Sequence, residues 1–347
     1  MMLNKISLFS GSLLSALFLA ACNPATNDTS ANTPAASTND TPASVANAPT
    51  ETKRVAITAI VEHPALDSVR LGAIEQLKAE GFEEGKNLVI DFQSAQGNSG
   101  TAAQIAKKFA GDKPDAIIAI ATPSAQAMVA ATKDVPIVYS AVTDPIAAKL
   151  VNSWEASNTN VTGVSDMLPL APQIALMKKM VPELKQVGYV YSPGEVNSTT
   201  VLEQLKTDLS KENIELVAAP AQRTTDVLTA ARSLGGKVQL IYTSLDNNVV
   251  SSYESMYKVA KEIKVPLLAS DTTSVERGAV AALGANYHDI GVQTGKVVAR
   301  ILRGESAGSI PSQRVDKFDL HLSNKHAQEQ GITLSDALKQ EATQVLE

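Results

Sequence analysis

From Arg54 onward, short apolar runs alternate with longer amphipathic stretches, and this rhythm occurs twice in succession. Runs of four to eight apolar residues between turn signals form buried strands, whereas apolar residues spaced i, i+3, i+4 form one face of a helix. In the first series, 54–61 (RVAITAIV), Leu88–Phe92, Ala116–Ala121, Ile137–Ser140 and Val161–Val164 read as strands. Leu66–Glu80, Thr101–Ala110 and Ser124–Thr132 read as the helices between them. The second series has strands at Gln186–Tyr191, Glu215–Ala218, Val238–Tyr242, Leu267–Ala269 and Val280–Gly284. Its helices are Ser198–Glu212, Thr225–Leu234, Val249–Ile263 and Ile290–Leu302. Strands joined by helix-length crossovers build parallel sheets covered by helices on both faces. The expected fold is α/β: two Rossmann-like lobes with parallel sheets.

The N-terminus has a different character. Lys5 precedes an apolar run from Leu8 to Ala21, too short for a spanning helix and suited to a signal peptide. The run ends Leu19-Ala20-Ala21-Cys22, which resembles the lipobox of bacterial lipoproteins, with Cys22 as the lipidated residue. Residues Asn23–Thr50 are almost all Asn, Thr, Ser, Ala, Pro and Asp, and cannot bury enough apolar surface to offset their ordering entropy. They are expected to tether a folded body to a membrane.

Composition narrows the chemistry. A formal net charge of -6 argues against nucleic acid as a partner. Cys22 is the only cysteine, so no intramolecular disulfide framework exists. His63, His288, His321 and His326 show no metal-ligand spacing and read as surface or loop residues; no metal and no cofactor is expected. Nucleotide, hydrolase and zinc-peptidase motifs are absent. Paired carboxylates such as Glu195 and Asp246 could suggest a glycosidase, but such a pair means little among 36 acidic residues, and no enzyme activity is expected.

Ligands of parallel α/β sheets sit beyond the carboxyl ends of the strands. Here those ends are polar: Glu62-His63-Pro64, Thr122-Pro123-Ser124 and Thr143-Asp144-Pro145, then 192–198, 243–247 and Ser270-Asp271-Thr272. Some of these residues serve as helix caps. Facing each other across a cleft, free helix N-termini would hold a carboxylate and acidic side chains an ammonium group.

Several stretches identify a resemblance. EHPALDSVRLGAIEQLKAEGFEEGKNLVIDFQSAQGN (62–98), AVTDPIAAKLV (141–151), NVTGVSDMLP (160–169), VGYVYSPGEVNS (187–198), SLDNNVVSS (244–252) and GAVAALGANYHDIGVQTGKVVARILRGE (278–305) resemble ABC transporter substrate-binding proteins of the tryptophan/tyrosine type, which have a type I periplasmic binding fold. The resemblance covers nearly everything from Lys53 on. It implies lobes woven by three chain crossings, with Ser165, Asp166, Gly284 and Ala285 near the hinge. The implied domains are a signal peptide (1–21), a lipidated Cys and tether (22–52), lobe 1 (53–165 plus about 284–313) and lobe 2 (about 166–283 plus 314–347). It implies an exported lipoprotein serving an ABC permease and its ATPase, anchored to the membrane by lipid, that captures a small molecule such as an aromatic amino acid.

On that basis Asp246 and Asp271, then Asp144, are candidates for the ligand's ammonium. Thr122, Ser124, Asn197 and Ser198 are candidates for its carboxylate, with Asn247 beside them. Tyr191 and Pro64 would border the side-chain slot, and Glu195 would reach the ligand or bridge the lobes. A sugar is the less favoured ligand, because sugars stack on aromatic faces and only 4% of residues are aromatic. A ligand sensor would share the same binding physics.

Overall fold

The computed structural model describes residues 51–347. The signal segment, Cys22 and nearly all of the tether lie outside the described residues. The chain runs β1 (Lys53–Ala59), α1 (Pro64–Ala79), β2 (Leu88–Ser94), α2 (Ser99–Asp112), β3 (Ala116–Ile120), α3 (Thr122–Ala131), β4 (Ile137–Val142) and β5 (Val161–Ser165). It then crosses into α4 (Leu170–Met180), β6 (Gln186–Tyr191), α5 (Val196–Lys211), β7 (Glu215–Pro220), α6 (Val227–Arg232), β8 (Leu240–Thr243), α7 (Asn247–Ser251), α8 (Tyr253–Ile263), β9 (Leu267–Asp271) and β10 (Ala281–Ala285). It returns for α9 (Tyr287–Leu302) and β11 (Gln313–Arg314), then crosses again for β12 (Asp319–Ser323), α10 (Asn324–Glu329), α11 (Asp336–Glu341) and β13 (Gln344–Leu346).

Two sheets result, in the orders β11-β5-β4-β3-β1-β2 and β13-β12-β10-β9-β8-β6-β7. Every pairing in the first sheet is parallel. In the second only β10 and β12 run antiparallel. Three crossings, after β5, β10 and β11, join the lobes. Strands β3, β4 and β5 are buried at every residue, as expected of parallel strands covered on both faces. The first lobe's core extends into Ala285, Tyr287, Ile290, Val297 and Val298, so α9 belongs to it by packing although it follows the second lobe in sequence. The second lobe has two cores: one includes Leu205, Tyr242 and Leu268, the other Val190, Ile241 and Leu267.

The alternation of apolar runs anticipates β1 to β10 and most of the helices between them. Its Val249–Ile263 helix is two helices, α7 and α8, meeting at Ser252. The helix α4 and all elements beyond Gly304 were not anticipated. Strands β11 and β13 are two and three residues long, which leaves no periodicity to detect.

Helix α1 packs against α9 at very close range, and glycines make this possible. A Cβ on Gly291 would lie 2.2 Å from the Val69 carbonyl oxygen, and one on Gly72 would lie 2.4 Å from that of His288. Both helices lean on the first sheet, so this contact fixes where α1 begins, and α1 begins at the ligand cleft.

Candidate binding cleft

In each sheet the strand order reverses direction once. Strand β1 lies between β2 and β3, and β6 lies between β7 and β8. Open α/β sheets bind ligands at such switch points, beyond the carboxyl ends of the strands. Here the two switch points face one narrow void. His63, Ala65 and Leu66 reach it from the end of β1, Ala121 and Thr122 from β3, and Ala141 and Thr143 from β4. Asn197 of α5, Leu245, Asn247 and Val250 after β8, and Asp271 at the end of β9 face them. The hinge supplies Asp166 and Tyr287.

Three side-chain atoms in this lining are buried without a hydrogen-bond partner: Thr122 Oγ1, Asp166 Oδ1 and Asn197 Oδ1. An unsatisfied buried polar group costs about 1–3 kcal/mol. Three in one void therefore mark a place prepared for a polar ligand.

Asp166 is fully buried, and desolvation pushes its carboxyl up to about 6. Its Oδ2 accepts from the Tyr287 hydroxyl at 2.9 Å and the nearby Thr143 side chain also favours the ionised form, while Oδ1 has no hydrogen-bond partner. The Asn197 amide donates to Glu195 Oε2 at 3.0 Å and to the Leu245 carbonyl at 2.9 Å, so its oxygen alone remains available. Asp271 caps the short helical turn after β9, accepting from Thr273 Oγ1 at 2.5 Å, Ser274 N at 3.0 Å and Ser274 Oγ at 2.6 Å. A carboxylate has about four acceptor sites, so one remains toward the cleft. His63 Nδ1 accepts from Leu66 N at 3.5 Å, which places the proton of the neutral ring on Nε2. Burial lowers its pKa to about 4, against the opposing pull of Asp271. Helix α3 starts without a side-chain cap, so its first-turn N–H groups, at Thr122 and Ser124, lack partners from the helix itself.

Of the residues expected to contact ligand, Thr122, Asn197, Asn247 and Asp271 line the void. Ser124 lies on the first turn of α3, buried, with its own Oγ unpartnered. The others do not line it. Asp246 is wholly buried, and its two oxygens are taken by four donors within its own lobe: Ser192 N, Ser192 Oγ, Ser198 Oγ and Val249 N, at 2.6 to 3.0 Å. The same network occupies the Ser198 hydroxyl. Glu195 is held by Asn197 and Asn247, and burial together with Asp246 raises its pKa to about 7. It braces two lining residues and does not itself reach the void. Asp144 caps a turn, accepting from Ile146 N and Ala147 N. Tyr191 stacks on Tyr189 at 6.3 Å, and Pro64 is exposed at the first turn of α1.

The lining residues missed from sequence are chiefly His63, Thr143, Asp166 and Tyr287. His63 and Thr143 stand at strand ends and could have been chosen by the same rule that selected their neighbours Pro64 and Asp144. Asp166 and Tyr287 meet from positions 121 residues apart, which no local pattern reveals.

Two lining alanines have positive φ: Ala121 at 70° and Ala141 at 53°. Ala121, with ψ 155°, sits in a region essentially reserved for glycine, at a cost of about 1–3 kcal/mol. The strain turns the chain sharply from β3 into α3 and brings the N-terminus of that helix to the cleft. Ala121→Gly is therefore expected to gain about 1 kcal/mol, after glycine's larger loss of chain entropy is deducted. Chemical denaturation would read this as a raised midpoint with unchanged slope.

A family model described as ABC transporter substrate binding protein matches residues 54–346. The chain belongs to this family. As a substrate-binding protein of an ABC transporter it acts outside the cytoplasm. It is similar to the tyrosine-binding protein of Clostridioides difficile, at 41% identity over 77% of this chain and 78% of that one. A Streptococcus pneumonia structure in complex with L-Trp aligns with TM-score 0.82 at 32% identity, covering 85% of this chain and 100% of that one. The ligand-free, open structure of a substrate-binding protein with adhesive properties from Clostridium difficile is 39% identical over 85% of this chain and 99% of that one, yet its TM-score is 0.65. The lobe arrangement here thus follows the ligand-bound relative more closely than the open one. Among the described residues no helix is long and apolar enough to cross a membrane.

Proposed function

We propose that this substrate-binding protein captures a free aromatic α-amino acid as its zwitterion and delivers it, without chemical change, to a membrane permease and its ATPase. The observation that carries the reading is the set of unpartnered buried atoms around the void. Asp166 Oδ1 and Asn197 Oδ1 are acceptors, and with Asp271 they suit an ammonium group. Thr122 Oγ1, the open N-terminus of α3 and the His63 Nε2–H are donors, and suit a carboxylate. The donors lie on the first lobe, while the acceptors lie on the second lobe and the hinge. A zwitterion thus joins the two lobes through its opposite charges, which gives it a differential affinity for the closed state. Leu66, Ala121, Ala141, Leu245 and Val250 leave an apolar space of limited volume for a side chain. The names of the two similar proteins, one tyrosine-binding and one solved with L-Trp, agree with an aromatic group there. Attachment through lipid on Cys22 would keep the lobes at the membrane beside the permease.

Calorimetric titration of the purified full chain with tyrosine, tryptophan, phenylalanine and their N-acetyl forms tests this. Free amino acids should bind and N-acetyl forms should not; equal binding of both would refute ammonium recognition.

The pH dependence has a definite sign. Folded Asp166 keeps its proton up to about pH 6, against 3.8 ordinarily, so ligand-free protein carries a neutral carboxyl below pH 6. An ammonium ligand favours the ionised form, so binding expels a proton in that range. Affinity should rise with pH, by up to about tenfold per unit, and level off above pH 6. Titrations between pH 5 and 8 should show this rise; a flat profile would remove Asp166 from the site.

A further inference from the structure

The cleft has a neighbour. A second, small void shares Thr143 and Leu245 with it as common walls. Its other apolar walls are Met167, Leu168 and Leu170 from the first crossing and Val201 from α5. Its polar lining is Tyr242, Ser244 and Ser270, from the ends of β8 and β9, and the exposed Gln204 of α5.

The hydroxyls in this chamber are not all spent. Ser244 Oγ pairs with Tyr189 OH at 2.6 Å, and Tyr189 OH donates onward to the Ser198 carbonyl at 3.1 Å, so both protons of that pair are used. Tyr242 OH and Ser270 Oγ make one hydrogen bond, to each other, at 2.6 Å. Two hydroxyls bring two protons, and one bond between them consumes only one. The other proton, in a nearly inaccessible pair, has no acceptor in the protein.

We infer that this chamber receives the far end of the ligand's side chain, and that the Tyr242–Ser270 pair donates its spare proton to an oxygen carried there. This rests on the amino-acid reading of the charged cleft. It commits the selectivity of the site to an aromatic side chain with a distal oxygen acceptor, such as a phenol, over a plain hydrocarbon ring. The apolar walls accommodate the ring, and the hydroxyl pair tests what the ring bears. A ligand that leaves the proton unpaired forfeits one hydrogen bond at a buried hydroxyl pair.

Paired titrations of the full chain with L-tyrosine and L-phenylalanine test it. Wild type should prefer tyrosine by about three- to tenfold, the span of one net hydrogen bond. Tyr242→Phe should bring the ratio near one by weakening tyrosine, with phenylalanine within twofold of wild type. Leu168→Trp narrows the chamber from its half-buried wall and should weaken both ligands at least tenfold, which decides the matter should Tyr242→Phe fail to fold. If both amino acids bind but Tyr242→Phe leaves their ratio unchanged, or Leu168→Trp leaves both affinities unchanged, the chamber is not part of the site. If neither amino acid binds wild type, the amino-acid reading itself falls, and this inference with it.

Discussion

Asp166→Asn is expected to weaken amino-acid binding by about 2–4 kcal/mol, roughly 30- to 1000-fold, while leaving the fold intact. Both halves of the expectation come from burial. The carboxylate is fully enclosed, with one oxygen held by Tyr287 and the other unpartnered, so it awaits a cation. Removing its charge leaves Asp271 as the only carboxylate facing the ligand's ammonium. Without ligand, that same charge is what burial disfavours, so a neutral side chain of the same shape costs the empty protein nothing at pH 7. Asp246→Ala should behave in the opposite way. It deletes the acceptor of four hydrogen bonds that tie β6, α5 and α7 together, and should lower the melting temperature first. Calorimetric affinities beside thermal melts of the two variants separate the roles. A loss of stability without loss of affinity in Asp166→Asn would show that the hinge, not the ligand, uses this residue.

Gly291→Val should destabilise the first lobe by more than 3 kcal/mol. Even the first added carbon would lie 2.2 Å from the backbone oxygen of Val69, and backbone cannot rotate away as a side chain can. Overpacking in a core ordinarily costs about 1–3 kcal/mol. Here two helices must separate, and with them the packing of α9 on the first sheet. A drop of several degrees in melting temperature follows. Because α1 carries His63 at its N-cap, ligand affinity at temperatures where the variant remains folded should fall as well. A variant that melts with wild type would mean the helices pack less closely than described.

The contrast between Asp246 and Asp166 shows where sequence reasoning succeeds and where it stops. Both follow strands, both are acidic, and both stand in stretches that mark the family. From sequence, Asp246 looked like the ligand's partner and Asp166 like a hinge residue. In the folded chain Asp246 is enclosed by donors from its own helix and from Ser192 and Ser198, 54 and 48 positions away, whereas Asp166 keeps an oxygen free. The number of donors reaching a carboxylate depends on tertiary neighbours, and sequence does not count them. Thr122, Asn197, Asn247 and Asp271, in contrast, were legible because a strand end beside a switch point faces the cleft whatever its neighbours do.

Sequence by itself determined the α/β class, the doubled strand–helix series and the strand ends where a ligand must sit. Those features follow from the period of apolar residues, which is local. Tertiary structure decided which polar atoms are already paired, that α9 crosses back to the first lobe, and that a second chamber with an unspent hydroxyl proton adjoins the cleft. Each of these depends on groups distant in the chain meeting in space, where burial turns an unpaired donor or acceptor into a demand for a ligand.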